Sequence, residues 1–399
     1  MPDFASIVGP DHVTETASIL TVSPASTDET AAVMRLCAER KLVVSPRGGD
    51  TKLNWGNPVT PQVILDTRRL AGVREHSWQD LTATVGAGTT WEAMECNLAQ
   101  HGQRVALDPL FASTATVGGI IAVNDSGALR MRYGSLRDLV IGMTIVLSDG
   151  TIARSGGKVV KNVAGYDLPK LLTGSFGTLG IITEVTFRLH PVQATSETWT
   201  VPSDDIHVLA ELQRNLTTAA MSIESLQTRT DEDGFALDVR FASLPEVLRE
   251  HEQRLREVSG GLTTSPSTHD VWQTREHLFK RPGATILKIT ALPNKVGAIL
   301  QGFKSLLQNS TVACVADATG IITVALAAAP TQIVAIIHDL RARLRGDGGM
   351  VVILRAAPDI PGDIDRWGGS PPAIAVMRAV KQQFDPERLL NPGKFVGGI

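Results

Sequence analysis

The sequence predicts an α+β protein of two domains, and three features of its 399 residues lead there. A small strand, helix, strand unit opens the chain, a glycine-dense stretch follows from 105 to 190, and from about 193 an alternation of strands and helices runs twice. At roughly 150 residues per domain the length allows two or three cores, and the change of texture near 193 favours two.

Residues 18–66 read as strand, helix, strand, loop and strand. Ser26 and Glu29 have capping-box spacing ahead of a helix whose apolar face carries Val33, Leu36 and Cys37. LVVS at 42–45 and VILD at 63–66 are short buried strands on either side of the loop PRGGDTKLNWG at 46–56. A second capping box, Thr89 and Glu92, begins a helix that Gly102 can close. Beyond it, 105–190 is strand-like between glycines. Strands at 196–201, 222–228 and 234–241 with helices ending at 217 and 258 form one set; strands at 285–291, 311–317, 320–326 and 350–355 with helices at 294–308 and 331–345 form another. This is a duplicated βαββαβ element, an antiparallel sheet with helices on one face. Pro- and Gly-rich sequence at 358–372 leads to a last helix, AIAVMRAVKQQF, and the tail DPERLLNPGKF. The expected division is a first domain at 1–192, a second at 193–357 and a C-terminal segment, 358–399, that returns to the first.

Composition excludes several classes. With 43% hydrophobic and 20% charged residues and no single-sign tract, every region can reach a buried core. A formal charge of −3 lacks the basic footprint that nucleic acid or anionic membrane requires. Cys37, Cys96 and Cys314 are far apart and odd in number, so they read as small core residues of a cytoplasmic protein and not as a disulfide framework or cluster ligands. The start MPDFASIVGPDHVTE has no secretory pattern, and the most apolar run, 320–337, is interrupted by Pro330, Thr331 and Gln332. Membrane association is expected only through partner subunits.

Three segments carry the chemistry. In the first, Pro46-Arg47-Gly48-Gly49-Asp50-Thr51-Lys52, two glycines after a strand let the backbone turn its N–H groups inward as an anion nest, and Arg47 and Lys52 add positive charge suited to a diphosphate. Neither GxGxxG nor GxxxxGK[ST] occurs where a strand meets a helix, which excludes the Rossmann and Walker arrangements. In the second, 108–142, Ser113, Thr114 and Thr116 precede Gly118-Gly119 and offer hydroxyls with close backbone approach; a plain Gly-rich hairpin or bulge is the alternative. The third, 156–191, is punctuated by Gly174, Gly177 and Gly180 and places Lys161, Asn162, Tyr166 and Asp167 among glycines.

PRGG-x-T, ATVGG followed by N-x-SG and YGS-x-RD, and KN-x-AGYDL with GS-x-GTLGIIT, in this order over 18–191, together with DPERLLNPGK, resemble the FAD-binding domain of the vanillyl-alcohol oxidase type (PCMH-type) flavoproteins. The resemblance implies an FAD domain of two α+β subdomains, an inserted α+β cap domain, and a C-terminal segment that rejoins the first domain. Carried over by position, it assigns the pyrophosphate to Arg47, Gly48, Gly49, Asp50 and Thr51. Pro109, Thr114, Thr116, Val117, Gly118 and Gly119 would run along the cofactor, Gly180, Ile181 and Ile182 would meet the adenine or flavin edge, and Asn391 would approach from the tail. Members that hold FAD covalently carry histidine directly after the two glycines; here Asp50 stands there, so FAD is expected to be non-covalent.

The hydroxy-acid dehydrogenases of the family carry an HxxDGNxH-like cap segment that supplies a metal and a base, and this chain lacks it. His338 reads as structural, His269 and His277 lack metal-ligand spacing, and GDGG at 346–349 reads as a turn, so no metal is expected and the catalytic residues are not identified. GGDTKLNWG at 48–56, VVKNVAGYDL, VILRAAP at 352–358, Trp367-Gly368 and LNPGK are most similar to the smaller of the two FAD-binding subunits of bacterial glycolate oxidases. That resemblance implies a larger catalytic flavoprotein subunit and an iron–sulfur subunit as partners, with electrons passing from a 2-hydroxy acid such as glycolate to the iron–sulfur subunit. Two alternatives stay open: a self-sufficient FAD oxidoreductase in which Arg130, Arg132 and Arg355 clamp a carboxylate and Tyr133 or Tyr166 handles the proton, and a non-catalytic scaffold of the same fold. Trp55, Trp91 and Trp367 are either packing residues or flavin neighbours.

Overall fold

The structure is a computed structural model that describes residues 2–158, 167–231, 234–267, 270–304, 312–362 and 364–399. These form two compact units, one made of the chain up to Ser126 with Gly134–Val192 and Gly369–Ile399, the other of Gly127–Tyr133 and Gln193–Gly368.

The first unit holds two sheets and a short ribbon. Strands β1 (Val13–Thr16), β2 (Ile19–Val22), β3 (Val44–Arg47) and β4 (Val63–Asp66) lie in the order β1-β2-β4-β3, with β4 parallel to both β2 and β3. The helix Thr27–Glu39 provides the crossover that parallel pairing demands. Its cap differs slightly from the expected box: Ser26 Oγ accepts from the Glu29 N–H at 3.0 Å, but the Glu29 carboxylate takes the N–H of Ala25. Thr30, Val33, Met34 and Cys37 bury its inner face, while Leu36 is only half-buried.

The second sheet is antiparallel, in the order β5 (Val73–Ser77), β6 (Thr82–Gly86), β10 (Ile181–Arg188), β8 (Val140–Val146) and β9 (Ile152–Gly156). β7 (Gln103–Arg104) and β11 (His190–Pro191) form the ribbon. The helix Trp91–Ala99 is capped by Thr90, whose Oγ1 accepts from Ala93 N, and not by Thr89, whose hydroxyl donates to Gly86 O and accepts from Gly72 N. The strand-like reading of 105–190 is corrected at one place that matters. Thr116 caps a helix, Val117–Val123, because Val117, Ile120 and Ile121 have a core to enter and Gly118 lets the helix approach Ala87. A Cβ added at Gly118 would lie 3.0 Å from that of Ala87.

The second unit contains one eight-stranded sheet built from two copies of the same motif. The first copy is β12 (Thr195–Ser203), a helix at Ile206–Thr218, β13 (Ile223–Asp231), β14 (Gly234–Ser243), a helix at Pro245–Val258 and β15 (Ser265–Pro266). The second is β16 (Thr285–Thr290), a helix at Val296–Gly302, β17 (Val312–Asp317), β18 (Ile321–Leu326), a helix at Pro330–Leu344 and β19 (Met350–Arg355). The order β15-β12-β14-β13-β17-β18-β16-β19 is a palindrome of equivalent strands, as a pseudo-two-fold between β13 and β17 requires. Leu209, Leu212, Leu248, Leu300, Ile333 and Ile337 on the helices pack on one face of this sheet.

Three readings shift. Residues 358–362 and 364–368 pack with the second unit, since Ile353 N–H donates to Arg366 O and Arg341 donates to Asp365 O, so the chain returns to the first unit at Gly369 and not at 358. Residues 127–133 also sit in the second unit, where Met131 joins the core. Cys37 and Cys314 are buried, which pushes both thiols up to about 12, but Cys96 is exposed. The apolar run at 320–337 divides between β18 and the following helix, and no described helix is long and apolar enough to cross a membrane.

Glu95, on the helix Trp91–Ala99, accepts the N–H of Val105 at 3.0 Å, and burial raises its carboxyl to about 7. A carboxyl whose pKa is higher folded than unfolded contributes stability at low pH that is lost as pH rises from the ordinary Glu range through 7. Glu95→Gln is therefore expected to remove this slope and to stabilise by about 1–3 kcal/mol at pH 8 with little effect at pH 4. Melting curves at the two pH values check it, and equal shifts at both would contradict it.

Candidate functional site

Parallel strands β3 and β4 end side by side, and the segments after them build a cleft that opens to solvent. Open α/β sheets place ligands at this carboxyl edge of parallel strands, where loop backbones are free to face outward. The loop after β3, from Gly48 to Leu53, forms one wall, and Thr67 at the end of β4 ties it down by donating to Arg47 O at 2.9 Å. Asp50 has φ +62, a left-handed conformation that Asp tolerates better than most side chains. The helix Val117–Val123 supplies Gly118, Gly119, Ala122 and Val123 on a second side; the turn Phe176–Gly180 and the start of β10 supply a third.

The tail closes the arrangement. Val44 N–H donates to Leu389 O and Asn391 N–H to Val44 O, so the tail lies beside β3 through a single parallel bridge between Val44 and Leu390. Lys394 Nζ donates to Leu53 O at 2.7 Å, and Asn57 Nδ2 donates to Gly393 O at 2.9 Å.

Close approach of backbone explains the glycines. A Cβ on Gly48 would lie 2.1 Å from Thr116 Oγ1, and one on Gly49 would lie 1.7 Å from the carbonyl oxygen of Thr114. The first Gly-rich segment thus packs directly on the second. The lining is cationic: Arg47 forms an ion pair with Asp50, while Lys52 and Lys394 carry further charge. Lys52 is buried, donates to Leu110 O at 2.9 Å and lies 3.5 Å from Asp125 Oδ2, with its ammonium over the rings of Trp55 and Phe111. Narrow, cationic, floored by glycine backbone and walled by Ile181, Ile182 and Phe176, the cleft fits an elongated dinucleotide with a diphosphate and apolar rings.

Of the residues singled out in the sequence, Arg47, Gly48, Gly49, Asp50, Thr51, Thr116, Gly118, Gly119, Gly180, Ile181, Ile182 and Asn391 line this one cleft. Val117 instead points into the core, Pro109 stands outside the lining, and Thr114 faces a separate depression with Arg68, Gly72, Thr90 and Asn97. Ser45, Pro46, Thr67, Phe176 and Lys394 also line the cleft. Thr67 carries no sequence signal beyond its place at a strand end, whereas Lys394 belongs to the LNPGK motif.

Lys161, Asn162 and Tyr166 lie outside the described residues, as does His269. Asp167 caps the helix Leu168–Leu172 and pairs with Lys170. Trp55, Trp91 and Trp367 are buried, and Trp91 meets Phe187 edge to face. His338 is on the exposed side of its helix, and Gly348, with φ +70, closes the 3-10 turn Arg345–Asp347 that follows that helix. Arg355 donates to the carbonyls of Phe279, Arg281 and Ala284 and so fixes that turn. Tyr133 OH donates at 3.0 Å to Glu224, which also pairs with Arg240. Among the described residues no group of three or more His, Cys, Asp or Glu is placed to hold a metal.

Residues 19–156 match the family model described as FAD binding domain, and residues 367–395 match that for the C-terminal domain of FAD linked oxidases. Residues 19–156 are an FAD-binding domain. FAD is accordingly the cofactor of this cleft-bearing unit. The fold is that of p-cresol methylhydroxylase, solved with substrate bound, at TM-score 0.76 and 16% identity over 98% of this chain and 95% of that one. It is thus a PCMH-type fold with an α+β second unit. In sequence the chain is 35% identical over 206 residues to glycolate oxidase subunit GlcD of Bacillus subtilis, covering 51% of this chain and 42% of that protein. It is 38% identical over 146 residues to glycolate oxidase subunit GlcE of Escherichia coli, covering 36% and 41%. The chain thus spans less than half the length of these two relatives.

Proposed function

We propose that this FAD-binding chain is a subunit of a 2-hydroxy-acid oxidase complex acting on glycolate or a near relative, with a catalytic flavoprotein subunit and an iron–sulfur subunit as partners. The observation that carries the reading is that GlcD and GlcE, two different subunits of glycolate oxidase, both match this chain. When bound, FAD supplies a two-electron acceptor for oxidation at a CH–OH carbon. Arg47 to Thr51, with Lys52 behind them, hold the diphosphate; Thr116, Gly118 and Gly119 flank it; Gly180 to Ile182 and Asn391 border a ring. The buried Cys37 and Cys314 and the exposed Cys96 are separate thiols, so the proposal assigns the iron–sulfur centre to a partner.

With Asp50, engaged by Arg47, at the position after the two glycines, no histidine for flavin attachment stands there, and the reading makes FAD dissociable. Acid denaturation and filtration of the yellow protein should release all flavin into the filtrate; colour retained on the polypeptide would refute this.

The subunit role is tested anaerobically. The FAD-loaded chain with glycolate or D-lactate should keep its flavin absorbance, and should lose it only when the partner flavoprotein subunit is added. Bleaching of the isolated chain would establish the self-sufficient reading instead. The engagement of Arg355 with three backbone carbonyls weighs against that alternative, for which it was a candidate carboxylate clamp.

A further inference from the structure

The buried ion pair of Lys381 and Asp385 has no part in the cleft lining, yet it sits where the final helix meets two segments that build the cleft. Its side chains are 5% and 0% exposed. Lys381 Nζ donates to Asp385, to Thr178 O at 2.7 Å and to Leu390 O at 2.9 Å, which uses all three ammonium protons. Asp385 in turn accepts the N–H groups of Leu389 and Leu390 at 2.9 and 2.8 Å. One pair therefore joins the final helix, the turn before β10 and the tail. The next residue in the tail is Asn391.

Asn391 is 4% exposed and lines the cleft, with φ +43. Its Nδ2 donates to Phe176 O at 2.9 Å, which fixes the orientation of the amide and turns Oδ1 the other way. Oδ1 is buried and has no hydrogen-bond partner among the described residues. A buried acceptor left unmet costs about 1–3 kcal/mol, so the arrangement expects a donor from a ligand. Gly177 is packed against the same amide, since a Cβ there would lie 3.0 Å from Nδ2 and 2.8 Å from Pro46 Cγ. Ile181 and Leu390 share one apolar cluster, and Phe176 stacks on Phe395 at 5.5 Å. This end of the cleft is closed by the tail. It suits the chemically inert half of a dinucleotide, because the flavin ring has to present an edge to other molecules, and its apolar walls suit a base more than a sugar.

We propose that Asn391 Oδ1 accepts a hydrogen bond from the exocyclic amine of the adenine of FAD, and that the Lys381–Asp385 pair is the latch that positions it. The inference rests on the FAD reading and deepens it; Lys381 and Asp385 are positioning residues that touch no ligand.

The test compares FAD with flavin hypoxanthine dinucleotide, which carries an oxo group in place of that amine. Dissociation constants come from flavin fluorescence on apo-protein. The wild type should bind FAD about tenfold more tightly than the analogue, the worth of one well-placed hydrogen bond. Asn391→Ala should bring that ratio to about one, and Lys381→Met should shrink it while circular dichroism shows a folded chain. If Lys381→Met fails to fold, the double variant Lys381→Met with Asp385→Leu removes both charges together and should show the same reduced ratio. A ratio unchanged by Asn391→Ala would overturn the contact, and a ratio kept in the folded latch variants would overturn the latch. A wild type that binds both flavins equally well would also refute the adenine contact while leaving the FAD reading intact; a wild type that binds neither would remove that reading and the inference with it.

Discussion

Gly49→Ala is expected to lower FAD affinity at least about 100-fold, equivalent to ~2.7 kcal/mol. The added methyl carbon would lie 1.7 Å from Thr114 O and 2.8 Å from Thr114 C, both backbone atoms, so no rotamer change relieves the clash and the first loop must separate from the second segment. Gly49 is not in a positive-φ conformation, so contact alone is at stake. Overpacking of this kind costs about 1–3 kcal/mol even where a core can adjust, and here the displaced wall is the one proposed to hold the diphosphate. Gly346→Ala, where an added methyl meets nothing within 4 Å, serves as control and should bind FAD as the wild type does. Fluorescence titration of both variants decides the matter; Gly49→Ala with wild-type affinity would show that the loop and the 114–116 segment need not touch.

Asp238→Ala is expected to destabilise the second unit by about 3–5 kcal/mol. Asp238 is fully buried on β14, where Oδ2 accepts from Arg229 Nε at 2.9 Å and Gln227 Nε2 at 3.0 Å, and Oδ1 accepts from Thr200 Oγ1 at 2.9 Å. The three partners come from β12 and β13 on either side, so one carboxylate joins three neighbouring strands. Burial pushes its pKa up, and Arg229, Gln227 and Thr200 oppose that shift. Alanine removes the carboxylate that neutralises the buried Arg229 guanidinium and takes away the acceptor of Thr200 Oγ1 and of one Gln227 Nε2 proton. Asp238→Asn retains shape and some hydrogen bonding and should lose distinctly less. Denaturant unfolding of both variants measures the difference, and equal losses would mean that charge, not shape, is what Asp238 contributes.

Much of this was legible in the chain. Strong 3.6- and 2-residue periodicities located nearly every strand and helix from 195 to 355, and the repetition of one motif anticipated the palindromic sheet order. The loop Arg47–Thr51, the pair Gly118-Gly119 and Gly180–Ile182 could be singled out because glycine clusters with hydroxyls and charges have few purely structural uses, and they line one cleft. The helix at Val117–Val123 was hidden because its two glycines argue against a helix locally, and only contact with Ala87 makes them an advantage. Thr114 and Val117 face away from the cleft because facing direction along a short turn-to-helix segment is set by packing.

What the sequence by itself determined is the α+β class, the duplication in the second half and the cofactor-type segments, because these are encoded in local periodicity and in residues with unusual backbone freedom. Tertiary structure alone decided that the place where the three segments and the tail meet is the edge of two parallel strands, that residues 127–133, 358–362 and 364–368 belong with the second unit, and that Lys381 and Asp385 are buried partners. Those outcomes depend on long-range contacts between backbone atoms and on the need of buried charges and carbonyls for partners, neither of which leaves a local pattern in the order of the residues.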